Sequence, residues 1–295
     1  MGAVSGSTKP AGDVPERVIS GPLRNALASS STDPDVGHAQ VGALQVGPAQ
    51  GVGGVPFVQP ETASHPHASR VADLVDRLAG EVVLRHAPGR IALDLGHGAP
   101  QVTEWVRARA AALTVIDARD LGRGAAIRLP WQDGRFELIY SLRTLPHLGH
   151  DEHSSDTATR SLLGELARIL APGGTALCQI DNPRSLWGAY HGLRNAPNLI
   201  EKGALVVQSD RGLTRFDTLP RFVGMLPDGL VMTDVHGLRV FTTVPQLLAL
   251  PVLGRLLEKL EWFARDRPPL RTFGAHLIVV LHRPARVALD EGAQR

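Results

Sequence analysis

Lysine is nearly absent from this chain. Of 31 basic residues in 295, only Lys9, Lys202 and Lys259 are lysines; arginines make up the rest and offset 29 acidic residues to a net charge of +2. No basic block stands out, so a nucleic-acid partner is not expected. Cysteine occurs once, as Cys178, which excludes an internal disulfide and, within an apolar strand candidate, marks a small buried hydrophobe. Long apolar runs are also missing. The longest, Phe241 to Leu257, is broken by Pro245, Pro251 and Arg255 and is not expected to span a bilayer. The first residues show no charged start followed by an apolar stretch, so a cytoplasmic protein without a membrane partner is the expectation.

What is there suffices for one globular domain and an appendage: 43% of residues are hydrophobic, core material for a domain of roughly 200–230 residues. Residues 1–65 are rich in Gly, Pro, Ser and Ala and carry no helical or strand period, so they read as an extension. They include three tandem pentapeptides, Val36 to Gln40, Val41 to Gln45 and Val46 to Gln50, too few for a stacked solenoid. The segment is a duplicated linker or an arm that folds over a site, with Pro56-Phe57-Val58 as its anchor. The domain proper is expected over 66–295. Val71, Leu74, Val75, Leu78 and Val82 share one helical face, with Ser69 as the expected N-cap.

The most informative stretch is Ile91-Ala92-Leu93-Asp94-Leu95-Gly96-His97-Gly98, followed by Val102, Trp105 and Val106 at helical spacing and then by Leu113-Thr114-Val115-Ile116-Asp117. It reads as strand, glycine turn, helix, strand. Glycines let backbone amides approach a nucleotide-like ligand, and a carboxylate ending the second strand can accept both hydroxyls of a ribose. Asp117 is that carboxylate. Read without a ligand, Asp94 is a turn-capping carboxylate and the glycines form a plain tight turn.

Further along come Leu129-Pro130-Trp131-Gln132-Asp133-Gly134-Arg135-Phe136-Glu137, then Leu145-Pro146-His147-Leu148, and finally Leu163 to Leu170 with Ala171-Pro172-Gly173-Gly174. This order resembles the class I S-adenosylmethionine-dependent methyltransferases of small molecules, in which D-x-G-x-G, L-P-[FW]-x-D-x-x-F-[DE] and L-x-P-G-G segments recur in sequence. The resemblance covers roughly residues 66 to 182, with a looser echo at 230 to 284. It implies a Rossmann-like three-layer α/β sandwich, its sheet mostly parallel with an antiparallel C-terminal pair. It also implies S-adenosyl-L-methionine as cofactor: Asp94, Gly96, His97 and Gly98 beneath its methionine end, Asp117 at the ribose and Ser141 facing the sulfonium. Leu162, Leu163, Leu166, Ile169 and Leu170 form a helix that Gly173-Gly174 should stop, before a strand from Thr175 to Ile180. In the family, material such as 183–228, with Trp187, Tyr190 and His191, closes over the acceptor; otherwise it is a surface excursion. Leu230 to Val240 and Phe273 to Leu281 read as late strands, joined by helices bent near Pro251.

Pro146 to His153 gathers three imidazoles and two carboxylates. His147 matches a position where relatives carry histidine near the transfer centre, and it is the expected catalytic base. His147, His150 and His153 have a helical spacing that could suit a metal, but Gly149 and the want of a fourth ligand make a solvated polar loop the expectation, with no metal. Two departures stand out. Pro100 replaces the last glycine of the turn, which a first helical turn tolerates. Eleven residues separate Asp117 from Leu129, too few for the family's helix and third strand, and Ala125 falls where a carboxylate would meet adenine. The expected protein is a methyltransferase of a small secondary-metabolite or lipid-like nucleophile. The alternative is a methyltransferase-like protein that does not methylate, either another enzyme or a subunit supporting a partner. A homodimer or a partner enzyme fits either reading, and an interaction module built on the Gly/Pro arm is the third.

Overall fold

The computed structural model describes residues 66–96, 98–117, 121, 126–185, 203–209, 212–242 and 244–285. The Gly/Pro arm with its pentapeptides, His97, Ala125, Trp187, Tyr190 and His191 lie outside the described residues.

Strand β1 (Ile91–Gly96) is buried along almost its whole length and pairs in parallel with β2 (Ala112–Asp117) on one side and β3 (Phe136–Ser141) on the other. A strand covered on both faces reads as a continuous apolar run, which is how Ile91 to Leu95 reads apart from Asp94. β3 pairs in parallel with β4 (Leu170–Asp181). β4 is antiparallel to β8 (His276–His282), which is antiparallel to β7 (Val231–Leu238). Among the described residues β2 is one edge of the sheet; residues 118–120 and 122–125, where the shortened third-strand region is expected, lie outside them. The sheet is otherwise the Rossmann-like one expected.

Side chains alternate between two cores. Leu93, Leu95, Ile139, Ala176 and Cys178 meet Leu162, Leu166 and Ile169 of α3 (Glu152–Ile169). Ala92, Leu138, Tyr140 and Leu177 meet Val71, Leu74, Leu78 and Val82 of α1 (Pro66–Leu84), with Val102 and Val106 of α2 (Pro100–Arg107). Each fully buried Leu or Ile contributes roughly 1.5–3 kcal/mol relative to exposure. Burial pushes the Cys178 thiol up to about 12, so it is an inert apolar side chain.

Several boundaries differ from the sequence reading. Helix α1 begins at Pro66, not after Ser69, because proline is at home in a first helical turn. Helix α3 stops at Ile169, before the glycines: Pro172 biases Ala171 away from helical backbone, and Leu170 is already extended. Gly173, at φ +79°, instead shapes a bend inside β4, its amide donating to the Arg283 carbonyl. Within 146–153 only 148–151 is loop, between the 3₁₀ turn at Leu145–His147 and the start of α3 at Glu152, and His150 to His153 are exposed. Asp151 caps α3, accepting the Ser154 amide at 2.7 Å while the Ser154 hydroxyl accepts the Asp151 amide at 3.0 Å. Pro251 does not bend a helix but opens one, following a 3₁₀ turn at Pro245–Ala249. Phe273 belongs to another 3₁₀ turn, Leu270–Phe273, ahead of β8.

The insertion 183–228 holds elements that the sequence reading left unassigned: a hairpin, β5 (Ala204–Ser209) and β6 (Gly212–Asp217), and the short α4 (Leu219–Val223). β3 ends opposite Cys178 while β4 runs on to Asp181, and there Phe216 of β6 pairs with it in parallel. The hairpin thus stands just beyond the C-terminal end of β3.

Candidate functional site

The chain leaves β1 for β2 on one side and returns to β3 on the other, so the switch point of the sheet lies at the C-terminal ends of these three strands. In open α/β sheets that crevice is where ligands bind. Gly96 and Asp117 are directly opposite each other at the ends of β1 and β2, and Asp117 is half-exposed. Ser141 ends β3; it is fully buried, and its hydroxyl has no hydrogen-bond partner among the described residues.

Asp94 is buried and accepts the Thr103 hydroxyl of α2 at 2.5 Å, and it faces Tyr140 across the β1–β3 pair. Burial, and then the Asp94 charge, raise the Tyr140 phenol well above its ordinary range, so Tyr140 stays neutral. Pro100 is the first residue of α2, where it is tolerated, and the Val102 and Thr103 amides turn back to the Ala99 carbonyl at 2.9 and 3.2 Å. The helix start therefore has fewer amides to offer an anion than a glycine-led turn would.

The glycines are demanded by the protein itself. Gly96 has φ +109°, and a Cβ there would lie 1.8 Å from Thr144 Oγ1; a Cβ on Gly98 would lie 2.0 Å from the Leu142 carbonyl oxygen. The segment following β3 is pressed into the turn. Arg143, at φ +57°, holds it there by donating to the Gly98 carbonyl at 3.2 Å and pairing with Asp76 of α1. Sequence reasoning missed Asp76, Arg143 and Thr144. Only the acid at position 76, beside an apolar helical face, hinted at any of them.

His147 sits in a 3₁₀ turn, Leu145–His147, half-buried, with Nδ1 3.0 Å from the carbonyl oxygen of Leu213 in β6. A carbonyl only accepts, so Nδ1 carries a hydrogen, and in the neutral form of such a ring the lone pair is on Nε2. His150 and His153 are exposed and do not converge with His147. Among the described residues no three His, Cys, Asp or Glu side chains are grouped to hold a metal ion.

The hairpin is bolted down by charge. Arg215, with 2% of its side chain exposed, donates to Asp217 at 2.6 Å and to Asp156 of α3 at 2.8 Å; Arg221 reaches the same two carboxylates at 2.8 and 2.7 Å. Burial pushes the Asp156 carboxyl up, but hydrogen bonds from Arg215, Arg221 and Arg160 outweigh it and hold it far below the ordinary range. Breaking a pair as buried as Arg215–Asp217 typically costs about 3–5 kcal/mol, and Asp156 ties the same guanidinium to α3. The crevice between the hairpin and the turn after β3, lined by Pro146, Thr159, Arg215 and Phe222, is too narrow for a water molecule.

No described protein family matches the sequence, and no curated protein does. Solved structures do align. A methyltransferase of Mesorhizobium loti that depends on S-adenosylmethionine shares 16% identity over 71% of this chain and 98% of its own, with a TM-score of 0.42. The 1,6-didemethyltoxoflavin-N1-methyltransferase of Burkholderia thailandensis, solved with S-adenosylhomocysteine, shares 14% over 75% and 92%, also at 0.42. The protein bound to the Trm112 methyltransferase activator of Haloferax volcanii, assigned as a methyltransferase, shares 17% over 73% and 92%, at 0.45. Likeness at this level is silent on what the chain binds.

Proposed function

We propose that the protein is an S-adenosylmethionine-dependent methyltransferase acting on a small nucleophilic acceptor of secondary-metabolite or lipid-like character. The observation that carries this reading is the placing of Asp117 beside Gly96 at the switch point, with the unpartnered Ser141 hydroxyl buried at the end of the neighbouring strand. A buried hydroxyl without a partner is costly, and a ligand at the strand ends would relieve it.

Bound S-adenosylmethionine supplies an electrophilic methyl group on a sulfonium leaving group. The chain's residues then have few tasks. The Asp117 carboxylate accepts the ribose hydroxyls, and Ser141 donates or accepts at the buried end. His147 Nε2 takes the proton that the acceptor loses, while Nδ1 stays on the Leu213 carbonyl and fixes the ring. The hairpin β5–β6 and the turn 145–147 close one side of the end of β3 to water, and the acceptor is aligned beside them, at the strand ends.

The non-methylating reading keeps one specific support. Gly96 and Gly98 are accounted for by Thr144 and Leu142, so the turn would look the same without a cofactor. Titration calorimetry with S-adenosylmethionine and S-adenosylhomocysteine separates the two. Saturable micromolar binding of both, followed by turnover in an acceptor screen, supports the methyltransferase; no binding at millimolar ligand rejects it.

A further inference from the structure

Helix α5 (Pro251–Arg265) is apolar on both sides. Inward, Trp262 packs onto the core that α1 and α2 share, and Ala264 is buried. Outward, Val252, Leu256 and Phe263 are 83%, 51% and 55% exposed, and they lie four and seven residues apart on one face. Leu250, just before the helix, is exposed as well. Single exposed apolar residues need no explanation, but a stripe does.

The free charges on the outward side of this helix are basic, while Arg265 is buried and paired with Glu81 and Asp266. Glu261 is fully buried and accepts the amides of Val240, Phe241 and Thr242 at 3.0, 2.7 and 2.7 Å. Glu258 pairs with Arg77 of α1 at 2.6 Å. Both acids of the helix are thus engaged by the protein, whereas Arg255 and Lys259 on α5, and Arg267 just past it, are exposed. The Arg267 guanidinium lies 5.3 Å from the Phe263 ring centroid. The helix is also rigidly seated, since a Cβ on Gly254 would meet the Leu248 carbonyl oxygen at 2.4 Å.

We propose that the outer face of α5 docks on an anionic lipid bilayer, with Val252, Leu256 and Phe263 among the acyl chains and Arg255, Lys259 and Arg267 at the lipid phosphates. A fixed helix with an apolar stripe and a basic rim lies in a membrane interface. A second copy of the chain is disfavoured, because a two-fold contact on this stripe would bring the basic rim against its own like. The surface is also well placed. β7 runs parallel to β4, both being antiparallel to β8, so the loop from β7 to α5 leaves from the same end of the strands as the candidate site. No described helix can cross a membrane, and the sequence reading weighed Phe241 to Leu257 only as a span, which is why it excluded a membrane partner. Docking at the surface does not depend on the methyltransferase assignment.

The test is cosedimentation of the full-length protein with phosphatidylcholine vesicles, with and without phosphatidylglycerol. Binding is expected only with phosphatidylglycerol and should weaken as salt is raised. Arg255→Gln with Lys259→Gln should lower partitioning about thirtyfold. Leu256→Ser with Phe263→Ser should abolish it, and both pairs should leave the thermal melt in place because all four side chains are exposed. Absence of wild-type binding, or binding untouched by either pair, overturns the proposal. So does a dimer in sedimentation velocity that Leu256→Ser with Phe263→Ser dissociates while vesicles remain unbound.

Discussion

His147 is fastened to strand β6: its Nδ1 donates across 3.0 Å to the carbonyl of Leu213. Under the proposed function this imidazole has two jobs that substitution can separate. His147→Asn keeps a side-chain donor for Leu213 and should hold the melting temperature near wild type. It removes the Nε2 base, so turnover should fall by about 10²–10⁴ while affinity for S-adenosylhomocysteine is retained. His147→Ala should lose in addition roughly 1 kcal/mol of stability. Turnover that survives His147→Asn would make the residue a latch alone.

Asp117→Ala tests the ribose site. Loss of charge-assisted hydrogen bonds should weaken S-adenosylhomocysteine binding by about 1–3 kcal/mol in calorimetry. Unchanged affinity would remove Asp117 from the site.

Ser141→Ala separates folding from binding. The hydroxyl is buried without a partner, so its removal should leave stability equal or slightly higher in a denaturant melt. Cofactor affinity should nevertheless drop by about 1 kcal/mol. A loss of stability with affinity intact would give Ser141 a structural role only.

Gly96→Ala meets Thr144 Oγ1, whereas Gly98→Ala meets the main-chain carbonyl of Leu142. Both should destabilise by about 1–3 kcal/mol. Adding Thr144→Ala should recover part of the loss at Gly96, the φ of +109° keeping the remainder. It should recover nothing at Gly98. Equal rescue at both positions would contradict the packing described.

Glu165 gives the acid limb of stability. Hydrogen bonds from Arg168, opposed by burial and helped by the Leu129 amide, bring its pKa from 4.5 to about 2. A depressed carboxylate stabilises the fold above its unfolded pKa, so that contribution is whole above pH 4.5 and fades as pH falls toward about 2. Glu165→Gln should be less stable than wild type at neutral pH, and the gap should close through that window in urea melts at stepped pH. A gap of constant size would dismiss the linkage.

The parts of the fold that periodicity governs were legible. Ile91 to Gly96 and Leu113 to Asp117 read as strands because such apolar runs, bounded by glycine or acid, are too short for helices. Leu162, Leu166 and Ile169 share a helical face and fill one core. The hairpin beyond β3 was not legible, because charged residues such as Arg215 and Asp217 are ordinarily exposed, and here they are buried by pairing with each other and, through Arg215, with Asp156, far away in sequence. Thr144 was invisible for a similar reason: nothing near it in the chain shows that it will occupy the space Gly96 leaves. Long-range polar pairing has no period.

The loop from Leu129 to Gly134 carries one of the motifs behind the family resemblance, and it is held by the end of α3. Arg168 donates to the carbonyls of Leu129 and Trp131, its own carbonyl accepts the Gly134 amide, and Trp131 packs edge-on against Phe136. Together with the glycine turn, this makes two signature segments that selection for folding alone would preserve. Under the proposed function, a descendant that had lost catalysis would drift at Ser141, whose hydroxyl has no partner among the described residues, long before it drifted at Gly96 or Trp131. In a set of homologues, the spread of residues at position 141 is therefore a better gauge of retained chemistry than the motifs by which such proteins are recognised.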